Sequence, residues 1–231
     1  MKVRRLHRWD VDYHAAVAIQ ERLRKRIIRR GSPRNVKHVA GADVSYERSD
    51  NRFYAAVVVM RFPQLDLVEE AHASGVATFP YIPGLLTFRE GPILVRVFER
   101  LKTRPDLVIF DGQGIAHPRG FGLAAHMGLL IDVPSVGCAK TRLCGEHSEV
   151  AAPVGSTSPL HLGSKTIGVV LRTRRNVKPV FVSVGHRIAL ESAAAWVLKT
   201  TAGYRLPEPT RQAHLLVNQL RLEAKGATSR D

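Results

Sequence analysis

The sequence predicts an α/β fold: a mixed β-sheet, three antiparallel strands followed by parallel ones, with helices on both faces. Three short apolar runs separated by polar turns come first, helical and strand patterns then alternate, and 45% hydrophobic content across 231 residues suffices for a real core. With no internal repeat, low-complexity tract or linker to divide it, one domain spanning residues 1–231 is expected.

The elements follow in order. Val11, Ala15, Ala18, Ile19, Leu23, Ile27 and Ile28 recur at helical spacing among Arg22, Arg24, Lys25, Arg26, Arg29 and Arg30, so a basic amphipathic helix is expected over about residues 10–30. Gly31-Ser32-Pro33 breaks it. Residues 39–46, 54–60 and 65–71 read as strands of an antiparallel meander. Ile93, Leu94, Val97, Phe98 and Leu101 line one side of a helix over 91–102, and 106–111 is a buried strand. A helix over 121–130 and strands at 135–138, 166–171 and 180–184 come next. Helices over 189–199 and 210–223 close the chain, the second opened by Pro209 and Thr210.

Thirty-five Lys and Arg against twenty Asp and Glu leave a net charge of +15, and residues 1–37 hold nine of those charges. Clustered cations gain free energy by displacing counterions from phosphates, so a polyanionic partner is expected, although a solvated helix face is the plainer reading of the basic run alone. Two cysteines are too few for a disulfide scaffold and suit a reducing compartment. No secretory signal or bilayer-length apolar run is legible, so a cytoplasmic protein without a membrane partner is expected.

Asp43 stands inside an apolar strand, where an unpaired carboxylate costs several kcal/mol or stays protonated. Asp111 ends another hydrophobic strand and runs into Gly112-Gln113-Gly114, the strand-end position where open α/β sheets place ligands. Two such acids on neighbouring strands repel unless a cation lies between them, and hard divalent ions, Mg²⁺ or Mn²⁺, prefer carboxylate oxygens. Glu90, expected at the start of a helix, is a third acid within reach. Singly, each acid also reads as a cap, a turn or a surface ion pair. Cys138, Cys144 and His147 make a poor zinc site because no fourth ligand is evident, and Cys138 reads as a small buried residue.

Four segments combine backbone-shaping Gly or Pro with polar groups: PYIPGLLTFRE at 80–90, DGQGIAHPRGFGLA at 111–124, GCAK at 137–140 and SVGH at 183–186. At these residues, and at RLPEPTRQAH over 205–214, the chain closely resembles the endonuclease V family of deoxyinosine-directed nucleases, with similarity running from about residue 10 to 222. The resemblance implies a ribonuclease H-like fold and a catalytic set of Asp43, Glu90, Asp111, Lys140 and His214. In that set Asp43, Asp111 and Glu90 hold Mg²⁺, with Mn²⁺ as substitute. Lys140 would offset phosphate charge, or be a surface amine after a strand; His214 would orient water, move a proton or contact the ion, or simply pack. Tyr81, between prolines, would be a wedge replacing lost base stacking, the alternative being a core tyrosine. Pro83, Gly84, Leu85, Gly112, Gly114 and Gly122 would shape a tight base pocket, while His117 and Arg119 face phosphate or brace the loop; His186 reads as structural. The implied reaction is nicking at the second phosphodiester 3′ of deoxyinosine in DNA, leaving 3′-hydroxyl and 5′-phosphate ends. Inosine-containing RNA is the alternative substrate, and a noncatalytic nucleic-acid-binding protein is the alternative role. No obligate protein partner is implied.

Overall fold

The computed structural model describes residues 1–47 and 51–228, the side chains of 226–228 excepted. A short basic helix, α1 (Tyr13–Arg24), precedes the antiparallel meander β1 (His38–Glu47), β2 (Arg52–Arg61) and β3 (Asp66–Val76). Then come α2 (Leu86–Arg100), β4 (Leu107–Phe110), α3 (Leu123–Ile131), β5 (Ser135–Ala139), β6 (Thr157–Leu162), β7 (Lys165–Leu171), β8 (Val180–His186), α4 (Leu190–Lys199) and α5 (Glu208–Thr228). The strands form one sheet in the order β3-β2-β1-β4-β5-β8-β7-β6. Among the described residues no helix is long and apolar enough to cross a membrane.

Strand alternation sorts the core into two layers. Ala40, Ala42, Val57, Val59, Val108 and Phe110 face one way, onto Leu94, Val97 and Phe98 of α2 and Met127 of α3. Val39, Val58, Leu107, Ile109, Val136 and Cys138 face the other, onto Trp196 and Val197 of α4 and Ala213 of α5. The period of two along each strand therefore sends every second residue of β1 and β4 toward α5.

Several sequence expectations are corrected. Only the β1–β4 and β4–β5 pairings are parallel; β8 pairs antiparallel with β5, β7 with β8 and β6 with β7. No helix lies between β5 and β8, so β6, β7 and β8 join as a meander by direct loops, which antiparallel pairing allows and a parallel crossover does not. The basic helix is shorter than 10–30: Asp12 caps it by accepting from Ala15 N–H at 2.8 Å, and it ends at Arg24, because six basic side chains at 22–30 repel within two turns. Helix α2 begins at Leu86 and carries Pro92 inside it, so Glu90 lies within the helix and not at its start. Burial of Phe88, Ile93, Leu94 and Phe98 outweighs the missing backbone donor there. Strand β6 went unread because Pro159 and alternating exposure mark an outermost strand with no continuous apolar run.

Candidate active site

The register of two parallel strands brings the acids together. Ala42 pairs with Phe110, and Asp111 N–H donates to Ala42 carbonyl at 3.0 Å, so Asp43 in the middle of β1 and Asp111 just past the end of β4 come side by side. Both point to the α5 face, by the same parity as Val39 and Leu107. Helix α5 meets them because Gly41 has no side chain: a Cβ there would stand 2.0 Å from the carbonyl carbon of Pro209. The helix start thus lies on the strand backbone itself, and His214 falls above Asp43.

One ligand atom from each of Asp43, Asp111 and His214 lies within 4.8 Å of the others. His214 Nδ1 is 2.7 Å from Asp43 Oδ2, and Lys140 Nζ is 2.5 Å from Asp111 Oδ2 and 3.4 Å from His214 Nδ1. Asn218, one turn along α5, brings its amide nitrogen to 3.1 Å from His214 Nε2, and its amide oxygen accepts from Ser45 at 3.3 Å. That network is met by imidazole protonated at Nδ1, donating to Asp43 and accepting from Asn218. Arg205 fixes the Lys140 loop by donating to the carbonyls of Lys140 and Pro179 at 2.6 and 2.9 Å.

The electrostatics are those of excess negative charge. Burial first, then Asp43, raises the Asp111 carboxyl against the opposing pull of Lys140. Glu90 is pushed up to about 8 by burial and then by the fields of Asp43 and Asp111, with Arg89 opposing. Two carboxylates and a third acid in their field form a donor set that suits a hard divalent cation, which would relieve the repulsion Lys140 now offsets, while His214 hydrogen-bonds one of the carboxylates. Glu90 is not one of the three groups in mutual ligand range; it borders the cluster. Cys138 lies beneath, its thiol pushed up by burial and by Asp111.

Next to this cluster opens a recess of about 140 Å³, lined by Tyr81, Pro83, Gly84, Gly112, His117 and Gly122 among the expected residues. Gly122 is required there, since a Cβ would meet Gln113 carbonyl oxygen at 2.5 Å, and Gly84 adopts φ +79°. Tyr81 is 69% exposed, which rules out the core reading. His117 and Arg119 brace the loop: His117 Nε2 and Arg119 Nη2 lie 3.0 and 2.7 Å from Gly84 carbonyl oxygen. Burial first, then Arg119, lowers His117 to about 4. His186 sits away from the site, its Nε2 3.5 Å from Asp132.

Two expected pocket residues are corrected. Leu85 is buried with Ala16, Phe79 and Phe88, because it turns inward where the loop enters α2. Gly114 lies under the loop, where a Cβ would be 2.0 Å from Val184 carbonyl oxygen on β8. Sequence reading missed Asn218, Arg205 and Ser45 behind the cluster, and Thr87, Gln113 and Leu143 in the recess. Asn218 was discoverable as the i+4 neighbour of His214; Leu143 carries no sequence signal.

The Endonuclease V family model matches residues 21–215. The chain belongs to the endonuclease V family. It is 47% identical over 220 residues to an endonuclease V of Dehalococcoides mccartyi, covering 95% of this chain and 99% of that one. The crystal structure of endonuclease V from Streptomyces avermitilis superposes with a TM-score of 0.89 at 43% identity, covering 97% of this chain and all of that one. Ciona intestinalis endonuclease V, crystallised with a 24mer DNA containing an inosine followed by a ribo-adenosine, gives 0.81 at 27% identity over 91% of this chain and 98% of that one. The fold is accordingly ribonuclease H-like, and the protein is an endonuclease acting on phosphodiester bonds.

Proposed function

We propose that this endonuclease repairs deaminated adenine in DNA, recognising deoxyinosine and hydrolysing the second phosphodiester 3′ of it to leave 3′-hydroxyl and 5′-phosphate ends. The observation that carries the reading is the convergence of Asp43, Asp111 and His214 within 4.8 Å beside a recess whose rim holds an exposed tyrosine. Asp43 and Asp111 would hold Mg²⁺, or Mn²⁺ in its place, which supplies charge neutralisation and water activation for phosphodiester hydrolysis. His214, oriented by Asn218, sets the Asp43 carboxylate through its Nδ1–H. Lys140, a third exposed at its side chain, balances charge on the phosphate. Glu90 completes the acidic set, its affinity for a proton raised first by burial and then by that same negative field. Tyr81 fills the stack when the base leaves it. The recess admits hypoxanthine and rejects guanine sterically, because hypoxanthine lacks the exocyclic amine.

An inosine-specific endoribonuclease is the second reading, favoured by the ribonucleotide that follows inosine in the ligand of the Ciona protein. Purified protein is incubated with matched DNA and RNA oligonucleotides carrying one inosine, with Mg²⁺, Mn²⁺, Ca²⁺ or chelator, and the break is mapped. Mg²⁺-dependent nicking two bonds 3′ of deoxyinosine is expected. Equal cutting of inosine-free controls rejects lesion specificity, RNA-only cutting selects the second reading, and no cutting with any divalent ion leaves a binding protein.

A further inference from the structure

A second cleft, of about 360 Å³, opens beside the recess and shares His117 with it. Its walls come from distant parts of the chain: Arg24, Lys25 and Arg29 at and beyond the end of α1, Arg119 on the glycine loop, and Lys165 at the start of β7. No carboxylate lines it. Among the described residues Arg24, Lys25, Arg29 and Lys165 are exposed and form no ion pair, while Arg119 is anchored to Gln20 Oε1 at 2.5 Å and to Gly84 carbonyl oxygen at 2.7 Å. Folding that gathers five like charges around one concavity works against their mutual repulsion, and a polyanion in the cleft reverses the sign of that term.

The recess meets the catalytic cluster at Gly112 and Gln113, the residues after Asp111, and meets the basic cleft at His117. We infer that the cleft holds backbone phosphates of the cleaved strand on the 5′ side of the base in the recess. The polarity rests on the proposed 3′ cut: a strand with its scissile bond at Asp111 and its base in the recess continues 5′ past His117. The bond to be broken and the phosphates that anchor the strand then lie on opposite flanks of the recess. The cleft contributes affinity independent of sequence, and the recess contributes lesion choice.

The test uses the full chain and inosine duplexes whose linkages are replaced by neutral methylphosphonates either at the two or three positions 5′ of inosine, 3′ of it beyond the cut, or opposite it on the complementary strand. Binding is followed by fluorescence anisotropy in chelator over a salt series, and nicking in Mg²⁺ by gel. Arg29→Ala and Lys165→Ala should each lower the slope of log Kd against log salt by about one, and the double variant by about two. Lys165→Arg should keep the full slope, which separates lost charge from lost structure. The losses should vanish on the 5′-neutral duplex and persist on the other two. Unchanged slopes, losses that persist on the 5′-neutral duplex, or losses that vanish only on the 3′-neutral or complementary-neutral duplex overturn the assignment. Failure of the unsubstituted chain to nick unmodified inosine DNA overturns the reading of function and the polarity with it; normal nicking with slopes that do not respond overturns the cleft alone.

Discussion

Two polar clusters sit on opposite faces of the sheet, and each contains histidine. On the α5 face His214 lies among Asp43, Asp111 and Lys140, with 41% of its side chain open to solvent. On the α2–α3 face His126 is wholly buried in a box of Trp9, Phe88 and Phe121, with its Nε2 2.7 Å from His7 Nε2. No carboxylate contributes to the second cluster, and burial lowers both of its histidines, which disfavours their charged forms. The contrast shows that a buried histidine by itself marks packing. Chemistry is marked by carboxylates of like charge gathered on neighbouring strands beside an opening, where the fold tolerates their repulsion because a ligand can answer it.

The largest expected effect comes from breaking the charged cluster. Asp43→Ala or Asp111→Ala should lower Mg²⁺-dependent nicking by about 10³-fold or more while leaving DNA binding in place, read by gel assay and anisotropy on one preparation. Retained nicking by either would remove the acids from the mechanism. Next, Gly41→Ala should force α5 away from β1, since the added Cβ would lie 2.0 Å from Pro209. About 1–3 kcal/mol of stability should go with it, and nicking should drop about 10²-fold, because a displacement near 1 Å at reacting groups has that cost. An alanine variant with unchanged activity would show that the helix approach does not set the site.

Asn218→Leu should lower nicking about tenfold by freeing the His214 ring, with Mg²⁺ affinity following the same direction. The aromatic cluster should respond oppositely: His126→Phe should leave nicking unchanged and cost about 1 kcal/mol in urea unfolding, from the lost partner of His7.

Acid sharpens the comparison further. His117 at about 4 and the lowered His126 stay neutral in the folded chain at pH values where the unfolded chain takes up protons, whose ordinary imidazole value is 6.5. Stability should therefore be full above pH 6.5 and decline as pH falls toward 4, by at most about 3 kcal/mol from His117. His126→Phe should flatten that decline, measured by urea unfolding across the range; an equally steep decline in the variant would clear His126 of any part in it.

Much of this was legible in the residues themselves. Short apolar runs in 39–46, 54–60 and 106–111 forecast the strands, and a carboxylate inside such a run, as at Asp43, announces a compensating partner wherever the chain folds, since the cost of burying an unpaired charge falls on the residue itself. The glycine and proline segments likewise carry their loops, because backbone freedom is a property of the residue. What tertiary structure alone decided was which groups meet. The β1–β4 register set Asp43 beside Asp111, and the missing side chain at Gly41 let α5 bring His214 into range in place of Glu90. Leu85 turned into the core while Tyr81 stayed out, and Lys165 came to face Arg29 across a cleft. Such meetings depend on register and on helix approach. Both are set by packing summed over residues far apart in the chain, which no local pattern contains.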